Sequence, residues 1–345
     1  MLQKLPAPRH LRDVIELFTL YDPAQGIDSV LKSFDPRGLT RADVLGAVLG
    51  ETDVKPMAVM QDESYRPWAH FRNLLKGDEF RRRARQLILQ AYPEKQRIIF
   101  VHVPKCAGTD LSFLLKRRYP VLADDQFMPE VTPVEKFFAQ LRDFSIGCRY
   151  SDSIVLLGHT YLSLYRQQKI SRDGDFLFTI LRDPVEIVYS FINFVLGVCQ
   201  RASATPVGHE IGWLKFLEIS AFPQNPTLDE ILILARRALY KDNAVDTMCK
   251  WLGNGDAEST IANLIASDIE ITDIAHYPAW RELRFPRSPV TRHNQSTWLF
   301  TPELASPADR AHIDKVTAHD QILYRRVQGC WQRSGGLSIR GSALK

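Results

Sequence analysis

The chain has 345 residues, 45% of them hydrophobic and 24% charged, with a formal net charge of +4. This composition excludes a mostly disordered, collagen-like or disulfide-stapled protein, and at this length roughly 75% of the unfolded surface can be buried. A surplus of four charges does not imply nucleic acid, although it leaves room for a local basic pocket that takes an anion.

Prolines and charges interrupt residues 1–10 before any stretch of signal-peptide length forms. The longest uncharged apolar run elsewhere, residues 187–200, falls short of the ~18 residues of a membrane span. The five cysteines, Cys106, Cys148, Cys199, Cys249 and Cys330, are too scattered for a zinc ribbon or a redox pair, and they read as reduced thiols. A cytoplasmic protein is expected.

Residues 11–92 carry apolar side chains at helical spacing, punctuated by Asp22-Pro23 and Asp35-Pro36-Arg37-Gly38, so residues 1–96 are predicted to form an all-helical N-terminal region. The run Arg81-Arg82-Arg83-Ala84-Arg85 reads as a solvated helix face. At residue 97 the pattern changes. Ile98-Ile99-Phe100-Val101-His102-Val103, Ser153-Ile154-Val155-Leu156-Leu157 and Asp175-Phe176-Leu177-Phe178-Thr179-Ile180-Leu181 are short and nearly continuous apolar runs, as in strands buried on both faces. Helical patterns at residues 110–118, 133–144 and 184–196 alternate with them. That order predicts an α/β domain over residues 97–333, a mostly parallel central sheet flanked by helices, with ligands bound where the strands' carboxyl ends open into loops. Further helices are predicted at residues 211–220, 228–240, 241–252 and 309–331. Residues 269–297 read as irregular, and the Ser/Gly-rich residues 334–345 as a flexible tail.

The first strand leads into Val103-Pro104-Lys105-Cys106-Ala107-Gly108-Thr109-Asp110 and directly into a helix. A strand, a small-residue turn and a helix N-terminus suit an anion, because backbone N–H groups and the positive end of the helix dipole converge there. Lys105 and the Thr109 hydroxyl add a charge and a donor. The lysine is not placed as in a Walker A loop, which disfavours an ordinary kinase or ATPase. The third strand leads into Arg182-Asp183-Pro184-Val185-Glu186. Asp183, Pro184 and Glu186 are explained by helix initiation. Arg182 and Ser190 remain, as a guanidinium fork and a hydroxyl able to meet one phosphate, or else as a surface ion pair with Asp183 or Glu186 and an ordinary surface hydroxyl.

Taken together, the two segments resemble the 5′-phosphosulfate loop and the 3′-phosphate segment of sulfotransferases that use 3′-phosphoadenosine 5′-phosphosulfate (PAPS), in particular carbohydrate sulfotransferases of the heparan sulfate 2-O-sulfotransferase type. Gly158-His159, Arg292-His293-Asn294-Gln295-Ser296 and Asp320-Gln321-Ile322-Leu323-Tyr324 are looser matches to that family's base, late cofactor-covering loop and C-terminal helix. The likeness runs over residues 97–328 and leaves residues 1–96 outside it.

The resemblance implies a P-loop-like sulfotransferase fold. It also implies that Lys105, Cys106, Ala107, Gly108, Thr109 and Asp110 hold the 5′ end of PAPS, and that Arg182 and Ser190 hold the 3′-phosphate under a loop carrying Arg292, Asn294 and Ser296. His159 would take the proton of an acceptor hydroxyl on a saccharide or glycolipid, with no metal required. Two positions depart from the family: Asp110, where serine is common, suits a helix N-terminus yet would repel a phosphate if its carboxylate turned inward, and Cys106 stands where threonine is common. Trp213, Phe216, Trp251, Trp280 and Trp298 are expected to pack in the core or a lid. The rival readings are a nucleotide-dependent phosphotransferase and a non-catalytic nucleotide-binding or adaptor protein.

Overall fold

The computed structural model describes residues 89, 92–124, 144, 147–148, 150–158, 160–167, 171–204, 208–241, 245–286 and 298–345. The predicted N-terminal helices, nearly all of the predicted helix at residues 133–144, His159 and the loop with Arg292, Asn294 and Ser296 lie outside the described residues. The architecture is α/β, a mostly parallel mixed sheet flanked by helices. Its elements are β1 (Gln96–Val101), α1 (Gly108–Arg118), β2 (Val121–Asp124), β3 (Ser153–Gly158), α2 (Leu162–Gln167), β4 (Phe176–Leu181), α3 (Pro184–Ala204), α4 (Gly208–Phe216), α5 (Leu228–Leu239), α6 (Thr247–Leu252), α7 (Ala257–Ser267), β5 (Glu270–Asp273), α8 (Tyr277–Arg284), α9 (Pro307–Val316), α10 (Ala318–Ser334) and β6 (Ile339–Arg340). The strand order is β2-β3-β1-β4-β5-β6.

The chain divides into two compact units, Met1–Ile98 with Arg118–Leu156 and Ile99–Arg117 with Leu157–Lys345, and the division falls inside β1 and β3. In the first unit, Arg97 donates to the Leu89 carbonyl at 3.3 Å and the Val155 N–H to the Pro120 carbonyl at 2.9 Å. Tyr92 meets Phe144 edge-on at 6.4 Å.

The second unit holds both predicted anion loops. β4 runs parallel to β5, with Leu181 beside Asp273, and β6 is antiparallel to β5. Ile99, Phe100 and Val101 of β1 and Phe178, Ile180 and Leu181 of β4 are fully buried, as their continuous apolar runs predict.

Helix α3 is apolar on most of its circumference because neighbours cover it on several sides. Val188, Ile192, Val195, Leu196 and Cys199 share a core with Leu214 and Leu217, with Leu234 and Ala238 of α5, and with Ile313 of α9. Each fully buried Leu or Ile in such a cluster contributes about 1.5–3 kcal/mol. Residues 184–202 are also long and apolar enough to cross a membrane, longer than the uncharged run in the sequence suggests, and 56% of that window is buried inside the protein.

The structure departs from the expected elements in several places, and β2, α2 and α7 have no counterpart among them. Within the irregular stretch, Glu270–Asp273 is a buried strand and Tyr277–Arg284 a helix. The acidic ends of β5 hide its strand character in sequence. In the fold, Glu270 is buried and accepts from Trp280 Nε1 at 2.6 Å, Arg284 Nη2 at 2.6 Å and Ser338 Oγ at 2.9 Å. The helix expected over residues 309–331 breaks at Thr317, because Asp246 reaches in and accepts from the backbone N–H groups of His319 and Asp320 at 3.0 and 3.1 Å. Asp320 returns the bond, accepting from the N–H groups of Met248 and Cys249 at the start of α6 at 2.9 and 2.7 Å. Each aspartate caps the other's helix.

Helix α6 starts at Thr247, later than the expected residue 241. Finally, the chain end is tied down where a flexible tail is predicted. Ile339 pairs with Ile271, Gly341 N–H bonds the Ile269 carbonyl at 2.8 Å, and Arg326 Nη2 bonds the Leu344 carbonyl at 2.7 Å. A Cβ at Gly341 would overlap the Leu264 carbonyl, so close packing requires glycine at that position.

Candidate functional site

The turn between β1 and α1 is held in an uncommon backbone conformation. Lys105 and Ala107 have φ of 67° and 55°, in the left-handed region that non-glycine residues seldom occupy. Gly108 opens α1, and a side chain there would collide with the ring of His102, which stacks on Phe100 at 5.2 Å. The His102 N–H in turn donates to the Gly158 carbonyl at 3.4 Å, which ties the root of the turn to the end of β3. His102 is therefore a packing residue beneath the turn, just past the end of β1, where the sequence puts it inside the strand.

Cys106 is fully buried, and that burial pushes its thiol well above the usual range, which makes it a packing residue and not a nucleophile. Lys105 is partly buried, and its ammonium is pulled down to about 8, by burial first and then by the Arg182 guanidinium. Its Nζ lies 4.2 Å from the centre of the Phe194 ring on α3. Among the described residues no carboxylate pairs with it.

Arg182, at the end of β4, donates from Nη1 to the Lys105 carbonyl at 3.3 Å and from Nε to Glu186 at 3.0 Å. The ion pair with Glu186 is therefore formed, one turn apart with a half-exposed carboxylate, a type worth about 0–1 kcal/mol. Nη2 keeps no partner among the described residues. Asp183 caps α3 as expected, its Oδ1 accepting from the N–H groups of Val185 and Glu186 at 2.9 and 3.2 Å. The hydroxyls of Thr109, which is exposed, and of Ser190 on α3 have no hydrogen-bond partner among the described residues.

The worrying carboxylate turns elsewhere. Asp110 Oδ2 accepts from the Tyr277 hydroxyl at 2.7 Å and from Arg281 Nη1 at 3.2 Å, both on α8. Asp110 therefore fastens α1 to α8, and its charge is met by a buried guanidinium. The sequence carries the departure at Asp110 but not its partners, which lie more than 160 residues away in a stretch read as irregular.

Phe194 and Asn193 of α3 are further residues the sequence reading misses. Asn193 is buried and makes four bonds. Its Nδ2 donates to the Tyr189 and Phe300 carbonyls, each at 2.8 Å, and its Oδ1 accepts from the N–H groups of Leu299 and Phe300 at 2.7 and 3.0 Å. Of the tryptophans, Trp251 and Trp280 are buried core residues and Trp213 packs edge-on against Phe191, Phe194 and Phe216. Trp298 is 42% exposed and lies over Tyr189.

The structure thus brings Lys105 and Arg182 into contact past the carboxyl ends of adjacent strands, each followed within a few residues by a helix start, Gly108 of α1 and Pro184 of α3. The Thr109 and Ser190 hydroxyls, on α1 and α3, have no partner among the described residues. This arrangement suits a multiply charged anion. No family model, known protein or solved structure matches the chain.

Proposed function

We propose that the protein is a sulfotransferase that moves a sulfuryl group from PAPS to an acceptor hydroxyl, of saccharide or glycolipid class, on a P-loop-like α/β domain. The observation that carries this reading is the partly buried Lys105 ammonium, which has no carboxylate partner among the described residues and sits in a left-handed turn against Arg182. An unpaired cation in a half-buried place is costly unless an anion completes it. The residues fit a bisphosphorylated nucleotide. Lys105, the N–H groups of residues 107–109 and the Thr109 hydroxyl hold the 5′ end, the Cys106 N–H being given to the Val103 carbonyl at 3.3 Å, and Arg182 through Nη2 and Ser190 hold the 3′-phosphate. Asp110, engaged with Tyr277 and Arg281, leaves that place without a competing carboxylate.

Bound PAPS supplies the activated sulfuryl group and a phosphate leaving group. The protein's part is to orient and neutralise. Lys105 meets the charge that grows at the 5′ end, as preorganised cations do in phosphoryl transfer. His159 accepts the proton of the attacking hydroxyl, a task suited to imidazole, while Arg292, Asn294 and Ser296 cover the donor.

Calorimetric titration with 3′-phosphoadenosine 5′-phosphate tests the reading. The wild-type protein is expected to bind, Lys105→Ala and Arg182→Ala to lose binding, and His159→Ala to bind but not turn over in an acceptor screen with labelled PAPS. Absence of binding by the wild type sinks the proposal. Magnesium-dependent ATP turnover would favour a phosphotransferase, and donor binding without transfer to any acceptor a binding or adaptor protein.

A further inference from the structure

Phe194 lies where the Lys105 side chain ends. The two residues come from different elements, and the ammonium sits 4.2 Å from the ring centre. Phe194 stands one turn beyond Ser190, so the face of α3 that carries the hydroxyl also carries the ring. The ring is itself pinned, because the Trp213 indole meets it at 5.5 Å with the planes 88° apart and the core cluster packs behind it. Among the described residues, the charged or titratable groups that bear on Lys105 are the Arg182 guanidinium and the Cys106 thiol, and neither supplies a counter-ion.

An aromatic face does something here that a carboxylate cannot. Its quadrupole attracts the ammonium and limits the sweep of a long flexible stem, yet it does not neutralise the charge or compete with phosphate as an ion-pair partner. A carboxylate in the same place would do both.

We propose that Phe194 is a positioning residue for the donor: its ring, held by Trp213, keeps the Lys105 ammonium charged and aimed at the turn where the 5′-phosphate end arrives. The assignment rests on the sulfotransferase reading above. It goes beyond that reading by placing one determinant of donor affinity on a hydrophobic residue that touches neither the sulfuryl group nor the acceptor.

The test is calorimetric titration with 3′-phosphoadenosine 5′-phosphate of wild type, Lys105→Ala, Phe194→Leu and Phe194→Tyr, with Phe194→Met replacing the leucine variant should that one not fold. Phe194→Leu is expected to weaken binding about fivefold to tenfold. Phe194→Tyr, which keeps the ring, is expected to stay within about twofold of wild type. Removing the ring withdraws support from the charged form, so the loss is larger at pH about 8, where Lys105 titrates, than in mildly acidic buffer. A role in packing alone produces no such pH dependence. Absence of binding by the wild type overturns the sulfotransferase reading and this assignment with it. Binding that is lost in Lys105→Ala yet unchanged in Phe194→Leu overturns the assignment alone. So does a loss in Phe194→Tyr equal to that in Phe194→Leu, since the ring would then not be the cause.

Discussion

The two ends of the paired strands β4 and β5 treat charge in opposite ways. Glu270, where β5 begins, is a buried carboxylate that accepts from Trp280, from Arg284 through two nitrogens and from Ser338. Lys105, in the turn that Arg182 of β4 bonds at the carboxyl end, is a partly buried ammonium whose neighbours among the described residues are a phenyl ring and another cation. Both sites cost desolvation, and among the described residues only the first finds the partners that recover it. A buried charge with a full set of partners is architecture, whereas one left without them is the ground on which a ligand is proposed here.

That contrast breaks most visibly at the satisfied end. Glu270→Ala leaves a buried indole N–H and a guanidinium without their acceptor, and it is expected to lower stability by about 3–5 kcal/mol in chemical denaturation. Asn193→Ala, which frees two carbonyls and two N–H groups between α3 and residues 299–300, is expected to cost about 2–3 kcal/mol by the same measurement. If either variant is as stable as wild type, completeness of hydrogen bonding is a poor guide to structural importance here.

At the unsatisfied end the sign reverses. Lys105→Met is expected to weaken 3′-phosphoadenosine 5′-phosphate binding about tenfold to hundredfold, yet to leave the protein at least as stable as wild type at neutral pH. The lowered lysine value means that the unfolded chain holds the proton more tightly than the folded one between pH about 8 and 10.5. Wild-type stability therefore rises with pH through that window as the buried ammonium is relieved, and the rise is absent in Lys105→Met.

Asp320 offers the smallest and sharpest comparison. Burial raises its carboxyl from 3.8 to about 6 although it accepts two backbone bonds, so the folded state binds a proton where the unfolded state does not. Stability is expected to fall as pH rises from 3.8 to about 6, and Asp320→Asn to flatten that slope in pH-dependent thermal unfolding. A slope of the opposite sign would mean that the two cap bonds outweigh burial.

Much of the described sheet and of the helices that follow it is legible along the chain. Continuous apolar runs mark β1, β3 and β4 because strands buried on both faces need no polar alternation. Asp183 with Pro184 marks the start of α3, and Thr227 with Glu230 the start of α5, because capping depends on neighbours three residues apart. β5 is not legible in that way. Its glutamate and aspartate look like loop residues until Trp280, Arg284 and Ser338 on one side and His276 and Tyr324 on the other supply donors. The break at Thr317 escapes for the same reason, since the side chain that caps α10 comes from Asp246, more than seventy residues earlier.

At the site, the sequence by itself determined the residue types and their order: a lysine and small residues between strand and helix, then an arginine after a later strand. Tertiary structure alone decided how each charge is used. Asp110 is drawn to Tyr277 and Arg281, Arg182 reaches the Lys105 carbonyl beyond the local pair with Glu186 that its spacing allowed, and Lys105 is left over Phe194. The reason is physical. Helix and strand signals come from local spacing, while the fate of a charge depends on which donors, acceptors and rings arrive from distant parts of the chain.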